Sequence, residues 1–263
     1  MDKLQEIYLE TKDQNYIEPA LYSTFRVKQG LRNENGTGVK VGLTKICDVV
    51  GYRMEEDKKI PMDGELIYRG YSVKDIVKMS SQEASIQGYE RAAFLLIFGR
   101  LPDAQELKTF QFYVKHSFSN DLIYANYKTE SLLNALQIEV LKLYALDDNP
   151  DNDNLEERME KGLAILSSLP MFIFSVYSGR KLKAYPLLAG VFAENILWLA
   201  RGQMPYSKQE ARVMDTLLVL HADHGGGNNS TFANVVISST GTDIYSCISA
   251  AIGSLKGPKH GGA

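Results

Sequence analysis

The sequence predicts a mainly α-helical fold with a small N-terminal antiparallel strand pair. Three observations predict it. β-prone residues bounded by glycine are confined to residues 41–49 and 64–71. From Ser72 onward, helix starts and stops recur at short intervals. The loops between them are short, as in packed helical domains. With 263 residues and 44% apolar content, the chain can bury a sizeable core.

The elements follow in order. Residues 1–40 are polar, carry a turn signal at Asn35-Gly36-Thr37-Gly38, and read as an arm with one short helix. Residues 41–263 read as the helical domain, with no internal repeat and no clear linker. Ser72 with Asp75, and Asp103 with Glu106, place a capping oxygen and an acid three residues apart. The apolar run from Arg91 to Phe98 stops at Gly99, a natural C-cap. Leu107, Phe110 and Val114 line one helix face. Asp147–Asn154 resembles a calcium loop superficially. Pro150 breaks it, the glycine needed at the sixth position is missing, and Arg158 stands at the twelfth, so it reads as a solvated linker. Residues 155–168 read as a helix, and Pro170 opens another that Gly179 stops. Residues 183–201 are apolar nearly all round and predict a buried helix. Ser207 and Glu210 start a helix running to about Ala222, Ser230 starts one to about Ser239, and Asp243 starts one ending at Gly257-Pro258.

Bulk properties exclude several classes. A net charge of −3 argues against a nucleic-acid partner, which wants a basic excess. Cys47 and Cys247 fit no disulfide framework or metal spacing and suit a reducing, cytoplasmic location. The densest apolar run, Tyr185–Ala200, is interrupted by Glu194 and Asn195 and is too short to cross a bilayer, so no membrane partner is expected. The N-terminus has neither a secretory h-region nor an Arg-rich transit pattern.

The chemistry points to the C-terminal third. Three of the four histidines, His221, His224 and His260, lie there. His221 and His224 share a helix face if the helix persists that far. Gly225-Gly226-Gly227 permits close approach of a ligand to backbone N–H groups, and Asn228, Asn229, Ser230 and Thr231 add polar atoms at a helix start. Pro258 and the following glycines leave His260 uncrowded, which suits an imidazole that must touch a carbonyl. Each histidine has a bland alternative as a helix cap. Lys256 and Lys259 fit either a phosphate-bearing cofactor or a solvated surface. His-x-x-His with a distant third histidine could hold zinc, but HExxH and CxxC are both absent and no metal is expected. No Ser-His-Asp signature is visible.

These motifs make the chain resemble the citrate synthases. GLTKICDVVGY with GELIYRGYSVKDI looks like the family's N-terminal strand pair. RAAFLLIFGRLPDAQEL is similar to its helix–turn–helix. FAENILWLARGQMP and EARVMDTLLVLHADHGGGNNSTFANVV…AAIGSLKGPKHGGA look like its catalytic core.

The resemblance implies a two-domain helical homodimer, an acyltransferase that condenses oxaloacetate with acetyl-CoA to citrate and CoA at the entry of the tricarboxylic acid cycle. Acetyl-CoA is a co-substrate, and no cofactor is tightly bound. His260 falls on the histidine that hydrogen bonds the thioester oxygen and His224 on the one that binds oxaloacetate. His221 is supporting, and Asn228 is a further substrate-binding candidate. Lys256, Gly257, Pro258, Lys259 and Gly261 would approach the acetyl-CoA. Lys259 departs from the family, where an apolar residue is common. The family's next histidine, its catalytic aspartate and its substrate arginines have no counterpart before Ala263, and its small domain is missing. Residues 1–263 are therefore expected to be an incomplete, inactive fragment of the large domain. Two alternatives stand beside this: a 2-methylcitrate synthase using propionyl-CoA, and a truncated non-catalytic partner for dimerisation or regulation.

Overall fold

The computed structural model describes residues 18–25, 44–56, 58–82, 85–116, 130–152, 154–179, 191–202 and 204–262. The chain divides into two compact units, Met1–Val41 and Gly42–Ala263. In the first, one short helix is described, α1 (Pro19–Thr24). The turn signal at 35–38 lies outside the described residues.

The second unit begins with β1 (Cys47–Glu55), β2 (Lys58–Tyr68) and β3 (Tyr71–Ser72), a three-stranded antiparallel sheet in that order. Register runs from Cys47 opposite Tyr68 to Glu55 opposite Lys58, with a shift between Val50 and Tyr52. The hairpin is longer than the glycine-bounded runs suggest. Its outer half is solvated on both faces and mixes polar with apolar residues, so it carries no alternation to read. Cross-strand chemistry holds it instead: Glu55 faces Lys58, and the Lys59 ammonium lies 5.0 Å from the Tyr52 ring centre.

Helices fill the rest: α2 (Val73–Gln82), α3 (Gly88–Phe98), α4 (Ala104–His116), α5 (Leu132–Leu146), α6 (Leu155–Ser178), α7 (Phe192–Ala200), α8 (Lys208–Leu220), α9 (Asn229–Ser238) and α10 (Ile244–Leu255). The mainly helical fold with a small strand pair is as the sequence predicts. Several caps are too. Gly99 closes α3 with φ 84°, and Asp103 with Glu106 forms a reciprocal box at α4. Ser207 with Glu210 does the same at α8, and Asp243 starts α10.

Other expectations differ from the structure. Pro170 does not divide its helix, because α6 runs unbroken from Leu155 to Ser178. An internal proline costs about 3 kcal/mol. Met171 and Phe172, just past it, are 0% exposed. Each such side chain returns about 1.5–3 kcal/mol on burial, enough to offset the proline. The resulting 24-residue helix is long and apolar enough to cross a membrane, but half of its apolar window is buried and it packs against α4, α5, α7 and α10. The buried helix expected over 183–201 is described only as α7, where five of its nine residues are buried; residues 181–190 lie outside the described residues. The acidic segment after α5 is also more than a solvated linker. Its backbone carbonyls at Asn149, Pro150 and Asn152 accept from Lys161 Nζ at 2.6, 3.1 and 2.8 Å, with Asp147 Oδ2 at 3.6 Å. An internal ammonium, only 7% exposed, is caged by these oxygens.

One apolar cluster joins Cys47, Tyr68, Val73, Ile76, Ala92, Leu95 and Val219, seating the sheet on α2, α3 and α8. A second joins α5, α6 and α10 through Leu136, Val140, Leu143, Ile165, Phe172 and Tyr245. Buried carboxylates stitch helix ends between them. Asp215 on α8 accepts from the N–H groups of Gly88 and Tyr89 at 3.0 and 2.9 Å, satisfying the start of α3. Gly88 must be glycine, since a Cβ there would lie 2.5 Å from Asp215 Oδ2. Glu90 accepts from Phe192 N at 2.7 Å and so starts α7, while its Oε2 has no partner among the described residues.

Burial, with smaller opposing contributions from the hydrogen bond and further repulsion from Asp215 and Glu194, pushes the Glu90 carboxyl from 4.5 up to about 8. A raised carboxyl favours the fold at low pH and loses that advantage as pH rises through the folded value. Unfolding stability is therefore expected to fall between pH 4.5 and about 8. Glu90→Gln, which keeps the acceptor, should flatten that slope; urea melts at stepped pH values check it, and an unchanged slope would contradict the assignment.

Candidate functional site

The histidine loops sit at the ends of α8 and α10, with α9 between them. α8 ends at Leu220, so His221 is its C-cap and His224 lies beyond the helix. The two therefore do not share a helix face. His221 N–H donates to Leu217 O at 3.1 Å, and its ring Nδ1 lies 2.7 Å from the same oxygen. A carbonyl only accepts, so this ring carries its proton on Nδ1 and acts as a cap. The His224 ring is exposed and has no hydrogen-bond partner among the described residues.

The glycine run then turns the chain. Gly225 has φ +78°, and a Cβ there would lie 3.2 Å from Val49 Cγ2. Both the angle and the close approach require glycine. Asn228, not Ser230, is the N-cap of α9: its Oδ1 accepts from Thr231 N at 2.9 Å and its Nδ2 donates to Gly225 O at 2.7 Å. Asn228 thereby ties the loop to the helix with its own side chain, and any ligand would compete with these bonds.

Ser230 is the link between the two motifs. Its Oγ lies 2.9 Å from Ala251 O on α10 and 3.2 Å from His260 Nε2. A hydroxyl has one proton. Donated to Ala251 O, it leaves Nε2–H to donate to Ser230; donated to Nε2, it leaves the neutral ring with its proton on Nδ1. His260 is half-buried, and its loop is compact. His260 N donates to Gly257 O at 2.9 Å, Gly261 N to Leu255 O at 3.0 Å, and Gly262 N to Gly257 O at 3.2 Å. A Cβ at Gly262 would fall 2.1 Å from Lys256 O, and one at Gly261 would fall 2.4 Å from Leu255 Cδ1. The glycines that looked like an uncrowded perch are the condition for the turn itself. Lys256, Pro258 and Lys259 are exposed, and neither lysine forms an ion pair among the described residues.

Ser230 thus brings His260 to the start of α9, directly after the loop carrying His224 and Asn228. His221 is turned back onto its own helix. Sequence reasoning missed the residues beneath this surface: Tyr68 and Cys47, whose partners are more than 150 residues away. Asp223, between the two histidines, was likewise assigned no role. Among the described residues, no group of three His, Cys, Asp or Glu side chains could hold a metal ion. A groove of about 770 Å³ lined by Phe94, Phe98, Phe110 and Tyr113 lies between α3, α4 and α6 and includes none of the histidines.

The chain is similar to known proteins. Residues 32–263 match the family described as citrate synthase, C-terminal domain. The chain is 34% identical over 218 residues to 2-methylcitrate synthase 1 of Corynebacterium glutamicum, covering 78% of this chain and 55% of that protein. It is 33% identical over 211 residues to the citrate synthase of Haloferax volcanii, covering 76% and 53%. The fold is similar to a ternary complex of carboxymethyl coenzyme A and oxaloacetate with the citrate synthase of Thermoplasma acidophilum, with TM-score 0.65 and 25% identity over 85% of this chain and 56% of that one. The chain spans about half the length of the curated relatives it matches.

Ser230→Ala removes the only side-chain partner of His260 among the described residues. The single-tautomer ¹⁵N signature of the His260 ring is expected to become a mixture, with about 1 kcal/mol lost in unfolding stability. An unchanged imidazole spectrum would show that Ser230 does not set the ring.

Proposed function

Since the chain belongs to the citrate synthase family, we propose that its two histidine loops form part of a site that condenses oxaloacetate with acetyl-CoA. A thioester methyl is a weak carbon acid, so the enolate oxygen needs a donor as charge develops. His260 supplies it. When the Ser230 hydroxyl turns its proton from Ala251 O to Nε2, the neutral ring presents Nδ1–H to the thioester oxygen. His224 holds oxaloacetate, which accords with an exposed ring free of protein partners. His221 supports the loop as the α8 cap, and Asn228 serves as its staple to α9. The backbone around Lys256, Gly257, Pro258, Lys259 and Gly261 receives acetyl-CoA. The methyl proton passes to the family's aspartate base, the enolate carbon attacks the oxaloacetate carbonyl, whose oxygen takes up a proton, and water hydrolyses the resulting thioester to citrate and CoA. The observation that carries this reading is the Ser230 bridge from α9 to His260.

A second reading keeps the fold and changes the acyl donor. Relatives include 2-methylcitrate synthases as well as citrate synthases at similar identity. Propionyl-CoA would then replace acetyl-CoA, with the same histidine roles. The protein would act as a homodimer in the cytoplasm under either reading.

In the family resemblance, the aspartate base and substrate arginines are contributed by sequence that follows the GPKHGGA motif. Acid–base groups are worth about 10²–10⁴-fold each, so residues 1–263 alone should give only background thiol release with oxaloacetate and acetyl-CoA. In a polypeptide joining them to the family's remaining catalytic residues, release should depend on oxaloacetate. His260→Ala or His224→Ala should each cut it by about 10²–10⁴-fold. Turnover of the two acyl-CoAs decides the donor. No oxaloacetate-dependent release in that polypeptide would overturn the enzymatic reading in favour of a non-catalytic partner.

A further inference from the structure

We infer that the β-sheet positions His224, with Tyr68 and Cys47 acting through Asp223. This rests on the reading of His224 as the oxaloacetate residue. A run of three glycines adds little backbone stiffness, so the local bonds of Asn228 and Asp223 to Gly225 need support from outside the loop. Tyr68, on β2, is 0% exposed. Its hydroxyl donates to Val219 O at 2.8 Å, in the last turn of α8, and receives Asp223 N–H at 3.3 Å. One buried oxygen thus bridges the helix end and the residue preceding His224.

Asp223 is held a second time. Its Oδ1 accepts from Gly225 N at 2.7 Å. The buried Cys47 thiol on β1 is electrostatically coupled to the same carboxylate: burial first, and the Asp223 charge second, push it up to about 12, so it stays protonated. On the far side of His224, Gly225 lies against Val49, and a Cβ at Gly226 would lie 3.3 Å from Thr44 Cγ2. The backbone is pinned at 223 and at 225–226, while the ring between them is exposed. That combination is what a ligand-binding side chain needs: fixed placement without a competing partner.

Tyr68→Phe keeps the buried ring and removes the oxygen. Amide exchange from Asp223 to Gly227 is expected to accelerate about tenfold, with α10 unchanged. The His224 ring resonances should broaden. Cys47→Ala should produce the same pattern more weakly, and Cys47→Ser, which keeps a donor, should reverse it. Cys47→Ala carries the test should Tyr68→Phe fail to fold. Uniform acceleration throughout the chain, or none in the loop, would overturn the positioning role. In a polypeptide with the complete site, Tyr68→Phe should raise KM for oxaloacetate about tenfold with a smaller effect on kcat. A loosened loop with unchanged KM would instead sink the assignment of oxaloacetate to His224 and leave the positioning intact.

Discussion

A loop with three consecutive glycines at the end of α8 must be held from outside as well as by its own Asn228 and Asp223, and that constraint ties the sheet to the helices of the second unit. The Tyr68 hydroxyl answers it by bonding the end of α8 and the backbone of Asp223 at once. For that oxygen to sit there, β2 must pack on α8, and the cluster of Cys47, Val73, Ile76, Ala92, Leu95 and Val219 provides the packing. The sheet is small and half solvated. Its buried base is nevertheless the part nearest the chemistry, and its exposed outer hairpin is held only by cross-strand pairs.

The same economy recurs at other helix ends. Several buried or part-buried polar side chains are spent on backbone groups at helix ends and turns. Asp215 takes the first N–H groups of α3, and Glu90 takes one at the start of α7. Arg69 donates to Leu96 O near the end of α3 at 2.7 Å. Lys161 takes three carbonyls of the turn between α5 and α6. Asp147, beside it, accepts from Tyr245 at 2.8 Å and so ties that turn to α10, the helix that leads into His260. Burial of these groups is tolerable because each is hydrogen bonded. Glu90 is the partial exception: one oxygen is bonded, the other has no partner among the described residues, and its proton affinity rises accordingly.

Much of this was legible in the chain before any coordinates. Helix caps were, because a cap is a contact between residues two to four apart. Ser207 with Glu210, Asp103 with Glu106, Asp243, Gly99 and Gly179 all occupy the positions their spacing predicts. The site motifs were legible as composition, two histidine loops set in glycine. Pro170 misled because its local cost is visible in sequence while the burial of Met171 and Phe172 is not. The hairpin length misled because solvated strands leave no periodic pattern.

By itself, then, the sequence determined the class of the fold, the positions of most helix starts, the family and the residue types available for chemistry, all of which depend on neighbours along the chain. Tertiary structure decided which of those residues are occupied and which are free. It turned His221 into a cap, committed Asn228 to stapling a loop, left the His224 ring exposed, and set Ser230 against His260 across 30 residues of chain. It also recruited Tyr68 from 155 residues away to hold Asp223. The physical reason is that hydrogen bonds and packing act through space, and a one-dimensional pattern records only those that close within a few residues.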